Sequence, residues 1–522
     1  MNKLIWKLIM IVALVALAGC AQDKGTSADP PPIKQLVYGM NTEIEKVNPV
    51  LDESQEIDTL LFRGLTKPDK DNQVTPDLAE SWEISDDQLS YTFTLRQDAT
   101  WQDGEPVTAK DVKFTFDQIQ NPETNTPISG EFNEIASVEI VSDFEVKMTL
   151  HRPFPPLLDK LKIGIVPEHL LQGEDLHTTE FNQHPIGNGP FQLKSWGADH
   201  TITLERNDAY YGPAPKLDEV VFKAVPDANT RMIQLKTGEI DLALVNPNQL
   251  AGMKENDPYT VHEIPTADYR AIMYNFDLPL FQDKRVRQAM SYAINRDDLV
   301  KGILAGKGEA AYGPLQNSWA GTSNKAGYTY NPEKAEQLLA EAGWLKDQDG
   351  VLTKDGQRFE FELVSPIQDT VRVSLANVVS EQLKPFGIIA TPKPVDQNAV
   401  QYDGEEALII GWGSEFDPDD HTYRLFHSSE IGDGQYNFGS YQNSKVDDLL
   451  LQARTATDLD ERKALYHQFQ EELTIDPPYN FLVYLQALYG VNDQVSGIST
   501  RTLGHHGFGV LWNIEEWDKE IN

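Results

Sequence analysis

The chain has 522 residues, enough for two or three packed units, and its hydrophobic fraction of 40% is too low for a polytopic membrane transporter. Nine Trp, 19 Tyr and 21 Phe exclude wholesale disorder. Against 44 Lys and Arg stand 81 Asp and Glu, a net charge of -37, and a surface that negative repels nucleic-acid phosphates, so no nucleic-acid partner is expected.

The N-terminus carries Lys3 and Lys7, then the unbroken apolar run from Leu8 to Ala18, then Gly19 and Cys20. A spanning helix needs about 20 apolar residues, so this shorter run reads as a cleaved secretory signal over residues 1–19. Cys20 is the only cysteine. It can form no internal disulfide, and a thiolate-based structural zinc site would need more than one. The tetrad Leu17-Ala18-Gly19-Cys20 resembles the bacterial lipobox, which implies cleavage before Cys20 and acylation of its thiol, with more than one chain giving a stable membrane anchor. Residues 20–33 are polar and rich in Pro and Gly, the composition of a flexible tether.

Along the rest of the chain, Leu89, Tyr91, Phe93 and Leu95 alternate with Ser and Thr and predict a half-buried strand. Gln102-Asp103-Gly104 is turn chemistry, and Thr108 followed by Asp111 predicts a capped helix carrying Val112, Phe114 and Phe116. Phe144, Val146, Met148 and Leu150 predict a second strand that pairs with the first. After Gly187-Asn188-Gly189-Pro190-Phe191 come strands near Ile202–Leu204 and Val220–Ala224, then a helix over Asn229–Ile240 and another strand. Residues 283–294 predict a helix capped by Asp283, Asn331-Pro332 starts a helix that Gly343 ends, and Leu465, Phe469 and Leu473 mark a third. The order is mixed α/β, with no repeat period.

Four passages together resemble the solute-binding lipoproteins of peptide and nickel ABC importers, family 5. They are the block from Leu78-Ala79-Glu80-Ser81-Trp82 to Asp117, the Gly187–Phe191 turn, the Asp283–Ala289 helix with Ala293-Ile294-Asn295-Arg296, and the Tyr330–Ala335 helix start. The resemblance implies a two-lobed periplasmic-binding-protein fold of type II, α/β, with an extra inserted subdomain and a ligand cleft between hinge-linked lobes. Lobe one is then expected over 34–75, 196–278 and 490–522, the inserted subdomain over 76–195, and lobe two over 279–489. The chain is expected to cross between lobes near Tyr274–Leu280 and Tyr484–Asn492. The implied function is capture of short peptides outside the cytoplasmic membrane and delivery to permease subunits driven by a separate ATPase, as a monomer, without cofactor.

A peptide site needs an acid for the amine, a base for the carboxylate and walls that exclude water. The apolar strand Ala407–Ile410 would deliver Trp412 to the cleft as an aromatic wall, with Glu415, Asp417 and Asp419 on the following loop. In peptide-binding relatives an aspartate three positions after this Trp pairs with the ligand amine, so the resemblance points to Glu415, with Asp417 and Asp419 in reserve; a solvated loop acid is the competing reading. Arg372 lies near where dipeptide-binding relatives place a carboxylate anchor, and a surface arginine on an amphipathic helix is the stronger competing reading. Trp101, at a turn, either stacks on the ligand or closes the subdomain core. His421, His427, His505 and His506 supply an alternative nickel or metal-chelate reading, because imidazole suits nickel. A secreted hydrolase is the remote alternative, although there is no G-x-S-x-G and no H-E-x-x-H, and Gly187-x-Gly189 runs into Pro190, unsuited to a dinucleotide loop.

Overall fold

The computed structural model describes residues 32–51, 56–322, 327–432 and 434–521. The signal, Cys20 and nearly all of the tether lie outside the described residues. Among the described residues no helix is long and apolar enough to cross a membrane.

The inserted subdomain is a four-stranded antiparallel sheet in the order Ala79–Ile84, Ser90–Leu95, Glu145–Leu150, Ile135–Ser142. Tyr91, Phe93 and Leu95 point inward on alternate positions and pair with the Val146 and Met148 strand. The helix Ala109–Gln120 starts at a complete capping box, Thr108 with Asp111, and buries Val112, Phe116 and Ile119. This subdomain shares one continuous apolar core with the strands of lobe one.

The principal sheet has 11 strands. At one end Gln35–Met40 lies parallel between Glu219–Ala224 and Leu242–Leu244; at the other Glu360–Pro366 lies parallel between Ile389–Val395 and Ala407–Trp412. Parallel neighbours need a crossover, and the helix Thr370–Leu383 supplies it between Glu360–Pro366 and Ile389–Val395. The two parallel ends are joined by a long antiparallel ribbon, Tyr259–Tyr274 against Tyr479–Asn492.

That ribbon carries the chain between lobes. Ile264, Ala487, Tyr489 and Val491 belong to the core of lobe one, whereas Tyr269, Ala271, Phe481 and Tyr484 belong to a core of lobe two. The first change of core therefore falls between Pro265 and Tyr269, where the register shifts, earlier than the expected Tyr274–Leu280. The strand runs unbroken through the change, so no turn residue signals it; a bulge alters the strand's direction while most of its ladder survives. The return from the core of lobe two to that of lobe one falls between Tyr484 and Ala487.

The passages that carry the family resemblance hold these parts together. In the helix Lys284–Ala293, buried Arg287 pairs with Asp476 and donates from Nε to the Pro477 carbonyl at 2.9 Å. Arg296 donates from Nε to the carbonyls of Phe481 at 2.7 Å and Ala311 at 2.9 Å. Arg296 thus ties its helix to the returning strand, and Arg287 ties its helix to the segment just before that strand, by satisfying carbonyls in the interior. At the Gly187–Phe191 turn, a Cβ on either Gly187 or Gly189 would overlap the carbonyls of Leu61 and Leu60, and Asn188 accepts the Arg63 N–H at 2.6 Å. The turn thereby closes the C-terminal end of helix Glu56–Leu61 and fixes the strip from Phe62 to Thr66.

Candidate functional site

The strip from Phe62 to Thr66 forms one wall of a cavity of about 530 Å³ between the lobes. Lobe two contributes the loop after strand Ala407–Trp412; the segment 156–164 and the C-terminal segment 501–509 close the remaining sides. The C-terminal segment is held at the lobe crossing, where the Leu503 N–H donates to Pro265 O at 2.9 Å and the Ala267 N–H donates back to Leu503 O at 2.9 Å. It is clamped from the other side by buried Glu56, whose carboxylate accepts the backbone N–H groups of Gly509 at 2.6 Å and Val510 at 3.0 Å. Residues far apart in sequence thereby meet at the hinge. The volume suits a small ligand, within the range of about 300–1,000 Å³ usual for such sites.

Trp412 is half-buried and lines this cavity; its Nε1 has no hydrogen-bond partner among the described residues. Its indole lies 5.8 Å from the His505 ring, nearly parallel, and 5.6 Å from His421. Glu415 also lines the cavity, packed against Gly504, where a Cβ would lie 2.7 Å from both carboxylate oxygens. Burial raises its pKa, and Lys162, Arg501 and His421 oppose that shift. Among the described residues no salt-bridge partner lies within 4.0 Å of the Glu415 carboxylate.

Asp417 and Asp419 are otherwise engaged. Asp417 accepts two hydrogen bonds from Arg462, at 2.7 and 2.8 Å, and both side chains are buried. Asp419 faces Arg454 at 3.2 Å and does not line the cavity. Arg372 is buried with its Nε 3.1 Å from Asp369, beside the Arg270–Asp268 pair, and is not among the cavity-lining residues. The surface alternative for this arginine fails too, since its side chain is only 7% exposed. Trp101 is 1% exposed, packs in the inserted subdomain core against His169, and is absent from the cavity wall, which places it with the core-closing alternative.

The four histidines divide. His421, His505 and His506 line the cavity, whereas His427 stacks on Tyr423 and bonds Ser429 outside it. His505 Nδ1 lies 2.7 Å from Asp268, and burial lowers its pKa to about 4 despite that carboxylate. Burial alone would raise Asp268, but Arg270 and His505 hold it well below the usual carboxylate range. One donor atom each of Asp268, His505 and His506 lies within 4.8 Å of the others. A carboxylate on Nδ1 fixes the ring and leaves Nε2 as the available nitrogen, the arrangement common among metal-ligating histidines.

Sequence reasoning missed three further groups. Arg501 lines the cavity beside Phe416 and Trp512, and its Nε and Nη1 have no hydrogen-bond partner among the described residues. Lys162 sits 3.7 Å over the Phe416 ring, an interlobe cation–π contact. Asp159, on the segment before it, has its carboxyl pushed up to about 7, by burial first and by Asp417 across the cleft second; Lys162, Arg462 and Lys160 act in the opposite direction. A raised carboxyl favours the folded, closed arrangement most at low pH, and that contribution is lost as pH rises through about 7. Asp159→Asn is therefore expected to flatten the fall in denaturation midpoint between about pH 5 and pH 8. An unchanged slope in the variant contradicts this assignment.

The family model for bacterial extracellular solute-binding proteins, family 5 Middle, matches residues 73–433. The oligopeptide-binding protein AppA of Bacillus subtilis is 32% identical over 537 residues, covering 98% of this chain and 97% of that protein. The structure of AppA from Bacillus subtilis in complex with a nonapeptide, 32% identical, superposes with a TM-score of 0.83 over 93% of this chain and 99% of that one. The structure of NikZ from Campylobacter jejuni in complex with Ni(L-His), 39% identical, superposes with a TM-score of 0.88 over 94% of this chain and 100% of that one.

Proposed function

The chain belongs to the bacterial extracellular solute-binding proteins of family 5, and we propose that it captures a short peptide outside the cytoplasmic membrane and presents it to the permease of an ABC importer. Binding, not chemistry, is its task. The observation that carries the peptide reading is the pairing of opposite charges in one interlobe cavity: among the described residues Glu415 makes no salt bridge within 4.0 Å, although Lys162 and Arg501 act on it electrostatically, and two nitrogens of Arg501 have no hydrogen-bond partner. Glu415 takes the ligand ammonium and Arg501 the carboxylate, while Trp412 and Phe416 cover the backbone between them. Closure removes water from these pairs and strengthens them. Arg372 stands behind the site, and its contribution is to the charge balance of the Arg270, Asp268 and Asp369 cluster. The hinge bulges at Pro265–Tyr269 divide lobe one, with its inserted subdomain, from lobe two. Acylated Cys20 holds the protein, as a monomer, to the membrane through the tether.

One observation favours a second reading. Asp268, His505 and His506 bring donor atoms within 4.8 Å of one another, with both histidines at the cavity wall and Asp268 behind them, and a chain with 39% identity is described in complex with Ni(L-His). In that reading His505 Nε2, His506 and His421 contact a nickel–amino-acid chelate, and Arg501 holds its carboxylate. Calorimetry separates the two. The refolded protein titrated with free-amine di- and tripeptides is expected to release or take up heat at micromolar concentrations of about 1–100, with no response to nickel plus histidine. Heat with nickel and histidine alone replaces the peptide reading by the chelate reading.

A further inference from the structure

A second chamber of about 1230 Å³ lies beside the first, between the inserted subdomain and lobe two. Its walls include Thr126 and Glu134 on one side and Tyr402, Tyr436 and Phe438 on the other. The two chambers have four lining residues in common: Glu131, Lys160, Asp420 and Arg424. Those four form a charge ladder. Lys160 Nζ lies 2.8 Å from Asp420 and 3.5 Å from Glu131, and Arg424 Nη1 lies 3.0 Å from Glu131. Glu131 and Lys160 belong to the inserted subdomain, whereas Asp420 and Arg424 belong to lobe two, so the Lys160–Asp420 and Arg424–Glu131 rungs cross the cleft and Lys160–Glu131 ties them together on one side. Lys160 is only 7% exposed, and the Arg424 guanidinium is further fixed 3.8 Å over the Tyr436 ring.

We propose that this ladder is a partition that sets ligand length: with it formed, the peptide is confined to the smaller chamber, and the larger chamber is closed to the ligand's carboxyl end. The inference rests on the peptide reading, since with the amine at Glu415 a longer ligand grows from its other end. A rung broken for lack of space separates opposite charges in a site that water reaches poorly, which penalises a longer peptide more than lost contacts would. Glu131 and Arg424 are thus specificity-determining residues, although neither is the partner of the ligand ammonium.

The test is a series of free-amine peptides lengthened one residue at a time at the carboxyl end, titrated into the wild type and two double variants. Glu131→Ala with Arg424→Ala removes one acid and one base and leaves Lys160 paired with Asp420. Glu131→Gln with Arg424→Gln removes the same charges but keeps much of the bulk. Wild-type affinity is expected to drop at one length. The Ala pair is expected to raise affinity for the first excluded length by about tenfold while leaving the shortest peptide unchanged, and the Gln pair to fall between. A wild-type profile without a drop, or an Ala pair with the wild-type profile, overturns the partition alone. Binding of no peptide at any length overturns the peptide reading and the partition with it.

Discussion

Replacing Glu415 by Ala is expected to weaken binding of a free-amine peptide by about 2 kcal/mol or more, roughly 30-fold, and to change binding of the same peptide N-acetylated very little. The carboxylate lies in the cavity wall, and no close salt-bridge partner among the described residues would compete with an ammonium for it. Its raised pKa reflects the cost of burial, which an ammonium offsets on arrival. Gly504→Ala is a companion test from the other side of the same group, because the added Cβ would meet both carboxylate oxygens at 2.7 Å and turn the side chain away. Isothermal titration of both peptides into wild type and Glu415→Ala reads the effect. Equal losses for the free and acetylated peptides would make Glu415 a structural residue.

Asp417→Ala is expected to behave differently although it lies two positions away. It removes both acceptors of Arg462, a buried guanidinium that otherwise donates to the Ala453 carbonyl. Leaving such a charge unpaired typically costs about 3–5 kcal/mol, and urea denaturation would show it as an early loss of lobe two. Discrimination between free and acetylated peptides is expected to survive at temperatures where the variant is folded. Undiminished stability with lost discrimination would move Asp417 from the framework to the ligand.

Much of the architecture was legible because local chemistry agreed with the final fold. The alternation of Tyr91, Phe93 and Leu95, the Thr108 cap and the Asn331-Pro332 start all appear where the periodicity and caps place them. Trp412 was legible at the cavity for a similar reason: an apolar strand ends at it, and Ala407–Trp412 does cross the core to the cleft. The hinge was not, because the strand Tyr259–Tyr274 changes lobes without leaving extended structure. Arg501 was missed because its position depends on a pairing between Leu503 and Thr266, across more than 200 residues, that no local pattern announces. Trp101 illustrates the reverse: its turn left stacking on a ligand and closing the subdomain core both open, and packing in that core leaves it 1% exposed. Arg372 follows Asp369, a helix cap that also pairs with it, so its nearest acid is a sequence neighbour and not a ligand.

Native mass spectrometry of the protein purified from a peptide-rich medium, before and after mild unfolding and refolding, identifies the ligand. A bound mass equal to a short peptide is expected, lost on unfolding and restored by adding that peptide back. A bound mass of nickel with a small amino-acid chelator would contradict the peptide reading, and would transfer the site from Glu415 to His421, His505 and His506.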